Sequence, residues 1–286
     1  MDLDTRHLRA LVAVVDEGTF TDAAIALATS QASVSRSIQR LESALGHRLL
    51  SRSSRHVETT PVGEHVVVHA RRILTTMAQL EASAAPGSQD VYVGYAWAAL
   101  GEHTVAVQRD WDQKQRGDLI FVQSNTPTAG LLEGRCDISV VRRPVADPRL
   151  DSAHVATERR YAVLTDDDPL ARRAVVRLAD FADRTVAVDV ETGTTSEDLW
   201  RSAAPPAGFR MTHGVDEWLT LIASGRAIGI SSEATTAQHP RPGVTFRLLE
   251  DAPPISVWLA WWKDDPPPTH QALIDSIRDA YRASQV

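Results

Sequence analysis

Residues 8 to 46 contain two helical repeats separated by a sharp break, and few folds accommodate that pattern. Leu8, Leu11, Val12 and Val15 fall at i, i+3, i+4 and i+7, which predicts an amphipathic helix ending near Gly18. Thr21 reads as the N-cap of a short helix carrying Ala23, Ala24 and Leu27 on one face. A break follows at Ala28-Thr29, and Ser30 reads as a second N-cap. Val34, Ile38, Leu41 and Leu45 then repeat at helical spacing until Gly46 stops the helix. Strand candidates at 48–51 and 56–59 flank Arg52-Ser53-Ser54-Arg55. Helix, short helix, tight turn, helix and hairpin together predict a winged helix-turn-helix over residues 1–60.

A longer helix is expected next. Thr60 caps it, and Pro61 takes the first helical position, where its missing N–H is tolerated. Val66, Ala70, Ile73, Met77, Leu80 and Ala84 repeat at alternating fours and threes, a heptad seam suited to pairing with a second copy. Residues 61–87 are therefore read as a linker and dimerisation helix with a hinge at Ala85-Pro86-Gly87-Ser88.

From residue 88 the pattern changes. VYVGY, LIFVQ, ISVV, YAVL, TVAVDV, AIGIS and SVWLAWW are short β-rich runs, and helical stretches such as 104–115 and 217–224 lie between most of them. Strands alternating with helices predict parallel α/β sheets. The length favours two lobes, with crossovers expected near 155–159 and 260–262. That gives lobe I as about 88–156 with 263–286, and lobe II as about 157–262. A C-terminal helix from Thr269 through Leu273, Ile274, Ile277 and Tyr281 closes the chain.

Charge separates these regions. The net charge of the 286 residues is −7, yet residues 1–80 carry nine Arg against eight Asp and Glu, a net +1, and the remainder carries −8. A near-neutral head can present a local basic face to phosphate while the acidic body does something else. No apolar run approaches the roughly 18 residues of a membrane span, and the first ten residues lack a signal-peptide pattern. With one cysteine, Cys136, these features predict a soluble cytoplasmic protein without an internal disulfide.

The second helix of the pair begins with small hydroxyl residues. Small side chains and free backbone N–H groups allow close approach to base edges and phosphates. Gln31 suits bidentate pairing with adenine, and Arg36 with guanine or a phosphate. Ser30, Ser33, Ser35 and Arg40 on the same helix, with Arg52 and Arg55 of the wing, complete the expected DNA-contacting set.

LRALVAVVDEGTFTDAAIALATSQASVSRSIQRLESALGHRLLSR…TTPVGE resembles the N-terminus of LysR-type transcriptional regulators, with dense agreement over residues 1–75. LLEGRCDISVV, LIASGRAIGIS and LAWWKDDPPP resemble the body of the same family. The resemblance implies a periplasmic-binding-protein-like, two-lobed effector domain, a small-molecule effector, an interrupted inverted repeat of double-stranded DNA as target, and homodimers assembling to homotetramers. It also implies that Ser124, Asn125, Thr126 and Thr128 form a ligand-contacting turn after the LIFVQ strand. Thr194, Thr195 and Ser196 follow TVAVDV, and Trp97 offers a flat wall. Hydroxyls at helix N-termini suit a small anion, and the tryptophan suits an aromatic body. Ala32 stands where proline is common in the family, Leu50 where phenylalanine is, and Ser51 where an acid is.

Other chemistry finds little support. G-x-S-x-G, a Walker A loop, H-E-x-x-H and G-x-G-x-x-G are all missing, so no enzyme and no cofactor is expected. His65 and His69 have metal-permitting spacing but no third ligand nearby, and Cys136 reads as a small core residue. The competing reading is a ligand-binding module with a degenerate DNA-binding head.

Overall fold

The computed structural model describes residues 4–52, 57–83, 90–114 and 116–284, with backbone alone at 52 and 79–83. The chain divides into two units: Met1–Ser88 with Leu132–Arg135, and Gln89–Leu131 with Cys136–Val286.

In the first unit α1 (Thr5–Glu17) runs from an Asp4 cap to Gly18, and α2 (Phe20–Ala26) follows. The cap of α2 is Thr19, not Thr21: its oxygen accepts from Asp22 N at 3.0 Å while its hydroxyl donates to the Asp22 carboxylate at 2.6 Å. That reciprocal pair fixes the start two residues early. α3 (Gln31–Leu45) is capped by Ser30, which accepts from Ser33 N at 3.2 Å, and ends at Gly46. Val34, Ile38 and Leu41 are buried against Leu8, Leu11 and Val14. Each such side chain contributes about 1.5–3 kcal/mol by leaving water. β1 (Leu50–Arg52) and β2 (Val57–Thr59) form the antiparallel wing. Glu42 holds the approach to it by accepting from Leu49 N and Leu50 N at 2.8 and 3.2 Å.

α4 (Pro61–Ser83) starts where Thr60 accepts from Gly63 N at 3.0 Å. Its heptad seam is divided. Val67 and Ala70 are buried in the core of their own unit, whereas Ile73 is 46% exposed and Met77 half-buried. The Leu80 side chain and Ala84 lie outside the described residues, as does the hinge at 85–88.

The second unit opens with β3 (Val91–Tyr95), α5 (His103–Gln113), β4 (Leu119–Gln123), β5 (Ile138–Val141) and β6 (Leu150–Glu158). Next come β7 (Arg160–Thr165), β8 (Val175–Val176), β9 (Thr185–Asp189), β10 (Gly208–Thr212), α6 (Val215–Ala223), β11 (Ile228–Ser232), α7 (Glu233–Gln238) and β12 (Val244–Leu249). β13 (Ile255–Trp262) and α8 (His270–Ala283) finish the chain. Lobe I is the sheet β4-β3-β5-β13-β6, and lobe II is the sheet β10-β9-β11-β7-β12-β8.

Two expectations are corrected. The sheets are mixed, because β13 runs antiparallel to β5 and β6, and β7 antiparallel to β11 and β12. The chain returns to lobe I at 250–254, between β12 and β13, not at 260–262. The lobe II boundary of 262 is therefore too late, since residues 255–262 are an inner strand of lobe I; Arg159 joins β6 of lobe I to β7 of lobe II.

Trp218 of α6 lies flat enough on β11 that Gly229 must have no side chain: a Cβ there would sit 2.2 Å from the Trp218 ring and 2.6 Å from Ile222. Trp218 is fixed by its N–H, which donates to Ala187 O at 2.9 Å. Gly229→Ala should lower stability by about 1–3 kcal/mol through overpacking, read as a lower urea midpoint for the second unit; an unchanged midpoint would refute the tight fit.

Candidate functional site

Two surfaces concentrate the expected residues, and each belongs to one unit. On α3, Ser30 caps the helix and the apolar positions turn inward, so Gln31, Arg36 and Arg40 are exposed and Ser33 and Ser35 half-buried. Neither Arg36 nor Arg40 makes a hydrogen bond or ion pair among the described residues, in contrast to Arg71, which pairs with Asp16. Two uncompensated guanidinium groups and an amide thus share the outer side of one helix. Arg52 is described by its backbone alone, as the last residue of β1, and Arg55 lies outside the described residues.

The second surface is a cleft of about 470 Å³ between the lobes of the second unit, continuing into a small recess of about 40 Å³. Both sheets turn strand C-termini toward it, where ligands of open α/β sheets sit. Trp97 lines both parts and stacks edge-to-face on Trp218, with ring centroids 4.9 Å apart. Its carbonyl meets His239 Nε2 at 2.7 Å, and its indole N–H is shielded without an acceptor among the described residues. Thr126 and Thr128 line the main cleft, and Thr194 and Thr195 the recess.

The remaining expected contacts are off the wall. Ser124 is buried, its N–H donating to Tyr95 O at 2.8 Å. Asn125 Oδ1 accepts from the Thr192 hydroxyl at 3.4 Å, and Ser196 is exposed beyond the lining. No helix starts at 124–128 either. The segment is a series of turns, with Ala129 at a φ of 52° and Thr126 Oγ1 accepting from Gly130 N at 3.0 Å. Residues 124–128 therefore present no helix N-terminus to an anion.

The charged framework of the cleft was missed in the sequence. Arg142, one residue past β5, lines both parts of the cleft and is paired bidentately with Glu158, at 2.9 Å from Nε and 2.8 Å from Nη2. Its other bonds go to the carbonyls of Ala98 (2.5 Å) and Ala99 (2.9 Å). Tyr281 of α8 donates to Glu158 at 2.6 Å. Burial alone would raise the Glu158 carboxyl, but the adjoining Arg142 charge and the hydrogen bonds hold it below the usual carboxylate range. The same burial, with Glu158 beside it, pushes the Tyr281 hydroxyl well up.

Asp189, buried at the end of β9, organises the opposite wall. It accepts from Thr192 N and Oγ1, both at 2.8 Å, and from Gly214 N at 2.5 Å. Arg160, at the crossover, donates to Pro253 O (2.8 Å) and Thr194 O (3.1 Å) with no acidic partner among the described residues, and burial brings its pKa down to about 10. It ties the Thr194 loop to the return crossover. Cys136 is buried, His65 and His69 are exposed, and among the described residues no cluster is placed to hold a metal. Nor is any described helix long and apolar enough to cross a membrane.

Glu158→Gln would leave Arg142 buried without its counter-charge, costing about 3–5 kcal/mol. Because the folded carboxyl is depressed, its contribution is present above the unfolded carboxylate range and is lost as the pH falls through the folded value. The variant should therefore unfold at lower urea at neutral pH and lose stability less steeply on acidification; equal slopes for both proteins would contradict the assignment.

Comparison with known proteins covers both units of the chain. Residues 5–64 match the family described as bacterial regulatory helix-turn-helix protein, lysR family, and residues 114–282 match the LysR substrate binding domain. The HTH-type transcriptional regulator ShiR of Corynebacterium glutamicum is 28% identical over 98% of this chain and 100% of its own. The small neutral protease regulatory protein of Streptomyces lividans is 30% identical over 99% of this chain and 85% of its own. The solved full-length CbnR complexed with its target DNA shares the fold, with a TM-score of 0.69 at 21% identity over 97% of this chain and all of that one. The chain belongs to the LysR family of DNA-binding transcriptional regulators, with a helix-turn-helix head and an effector-binding domain.

Proposed function

We propose that α3 reads a specific operator and that a small molecule held in the cleft of the second unit modulates that binding. The observation that carries the first half is the exposed face of α3, where Gln31, Arg36 and Arg40 stand free while Val34, Ile38 and Leu41 anchor the helix. Gln31 and Arg36 reach base edges, Ser33 and Ser35 permit close approach, and Arg40 with Arg52 and Arg55 of the wing engages phosphates or the adjacent minor groove. The solved CbnR–DNA complex supports a regulator of this fold engaging its target as a full-length protein.

A dimer paired through α4, with Ile73 and Met77 at the seam, presents two such helices, and its target is an interrupted inverted repeat. Membership in the family supports assembly of such dimers into a homotetramer. The effector is a small metabolite with an apolar or aromatic body resting on Trp97, near Thr126 and Thr128. It acts by population shift, binding one arrangement of the lobes better than the other and so changing the spacing of paired heads.

In a titration with DNA from upstream of its own gene, Arg36→Ala should weaken specific binding by about 1–3 kcal/mol. Each phosphate contact removed should flatten the log–log salt slope by about 0.9. Binding by the wild-type chain that ignores sequence would instead support a degenerate head. For the cleft, Trp97→Ala should abolish the stabilisation that an effector confers on unfolding while leaving DNA affinity within twofold; a retained shift would remove Trp97 from the site.

A further inference from the structure

Charges in the cleft are almost all spent inside the protein. Arg142 is neutralised by Glu158, and four of its five N–H groups are committed. Asp147 is paired with Arg149 through two bonds of 2.9 and 2.6 Å. Asp189 is filled by the donors of Thr192 and Gly214. Two charged lining residues remain, Arg143 and Glu191. Both are exposed, and neither makes a hydrogen bond or ion pair among the described residues, including with the other.

Their places correspond. Arg143 lies two residues beyond β5 in lobe I, and Glu191 two residues beyond β9 in lobe II. Each lobe thus brings one free charge to the mouth of the cleft, of opposite sign. The rest of the lining combines apolar Val140, Val141, Val145, Val190 and Trp97 with the hydroxyls of Thr126, Thr128 and Thr192. A simple acid would leave Glu191 unpaired against it, and a simple amine would leave Arg143 unpaired.

We infer that the effector is an ampholyte with an apolar body, of the chemical class of the hydrophobic α-amino acids. Its carboxylate lies toward Arg143, and its ammonium toward Glu191. Such a ligand pairs with both lobes at once, so its binding energy favours the closed arrangement, whereas a ligand charged at one end engages one lobe. The inference rests on the cleft being the effector site.

The test uses the full chain and measures binding by calorimetry. L-Phenylalanine, L-leucine and L-tryptophan are the ampholytes; 3-phenylpropionate lacks the ammonium of phenylalanine, and 2-phenylethylamine lacks its carboxylate. At least one amino acid should bind, and the phenyl series should show phenylalanine at least tenfold tighter than either truncated compound. Glu191→Gln should erase the advantage over 3-phenylpropionate, and Arg143→Gln the advantage over 2-phenylethylamine. If 3-phenylpropionate binds as tightly as phenylalanine and Trp97→Ala weakens both, the ampholyte inference falls and the cleft remains the effector site. If binding of every compound survives Trp97→Ala and both charge variants, the cleft itself is the wrong site. Failure of all three amino acids to bind overturns the inference outright.

Discussion

The buried pair of Arg142 and Glu158 is the interaction on which the second unit depends. It gathers four separate pieces of chain: the end of β5, the end of β6, the Ala98-Ala99 carbonyls beside Trp97, and α8 through Tyr281. Taking both charges out of water carries a large desolvation cost, so the pair is favourable only because nearly every donor and acceptor is matched. Its gain is geometric. The base of the cleft and the first crossover share one rigid node, because Glu158 is the last residue of β6 and Arg159 leads directly into β7. A ligand beside Arg142 therefore sits next to the hinge about which the lobes would move.

How far the sequence could be read depended on whether the deciding interaction was local. α3 was legible because Ser30, Gly46 and the spacing of Val34, Ile38 and Leu41 are signals within one helix. α2 began earlier than expected because the choice between Thr19 and Thr21 turned on which residue Asp22 answers. The return crossover was misplaced because an apolar strand such as ISVWLAWW suits the middle of either sheet, and nothing local says which. At the cleft, Trp97, Thr126, Thr128, Thr194 and Thr195 were anticipated from their positions after strands. The Arg142–Glu158 pair was not, because its partners are 16 residues apart and meet only through the sheet. The sole local hint was two arginines ending the buried run of β5.

α4 shows how one periodicity can serve two purposes. A seam of apolar residues at heptad spacing reads as an intermolecular face, yet its first half is used within the head, where Val67 and Ala70 join the core around Leu11 and Leu41. Further along the seam Ile73 is exposed. The head thus borrows the start of the helix for its own stability.

Lobe II is an insertion within lobe I, and this has a consequence for how the protein is made. β13 lies between β5 and β6, so β6 is not joined to the rest of the lobe I sheet until residues 255–262 leave the ribosome. Lobe II, whose strands all lie between 160 and 249, has its complete sheet available earlier. Vectorial synthesis therefore lets the inserted lobe fold first and hold the two halves of its host close together. Residues 255–284, carrying β13 and α8, act as a closing clasp whose arrival completes the cleft and seats Tyr281 on Glu158.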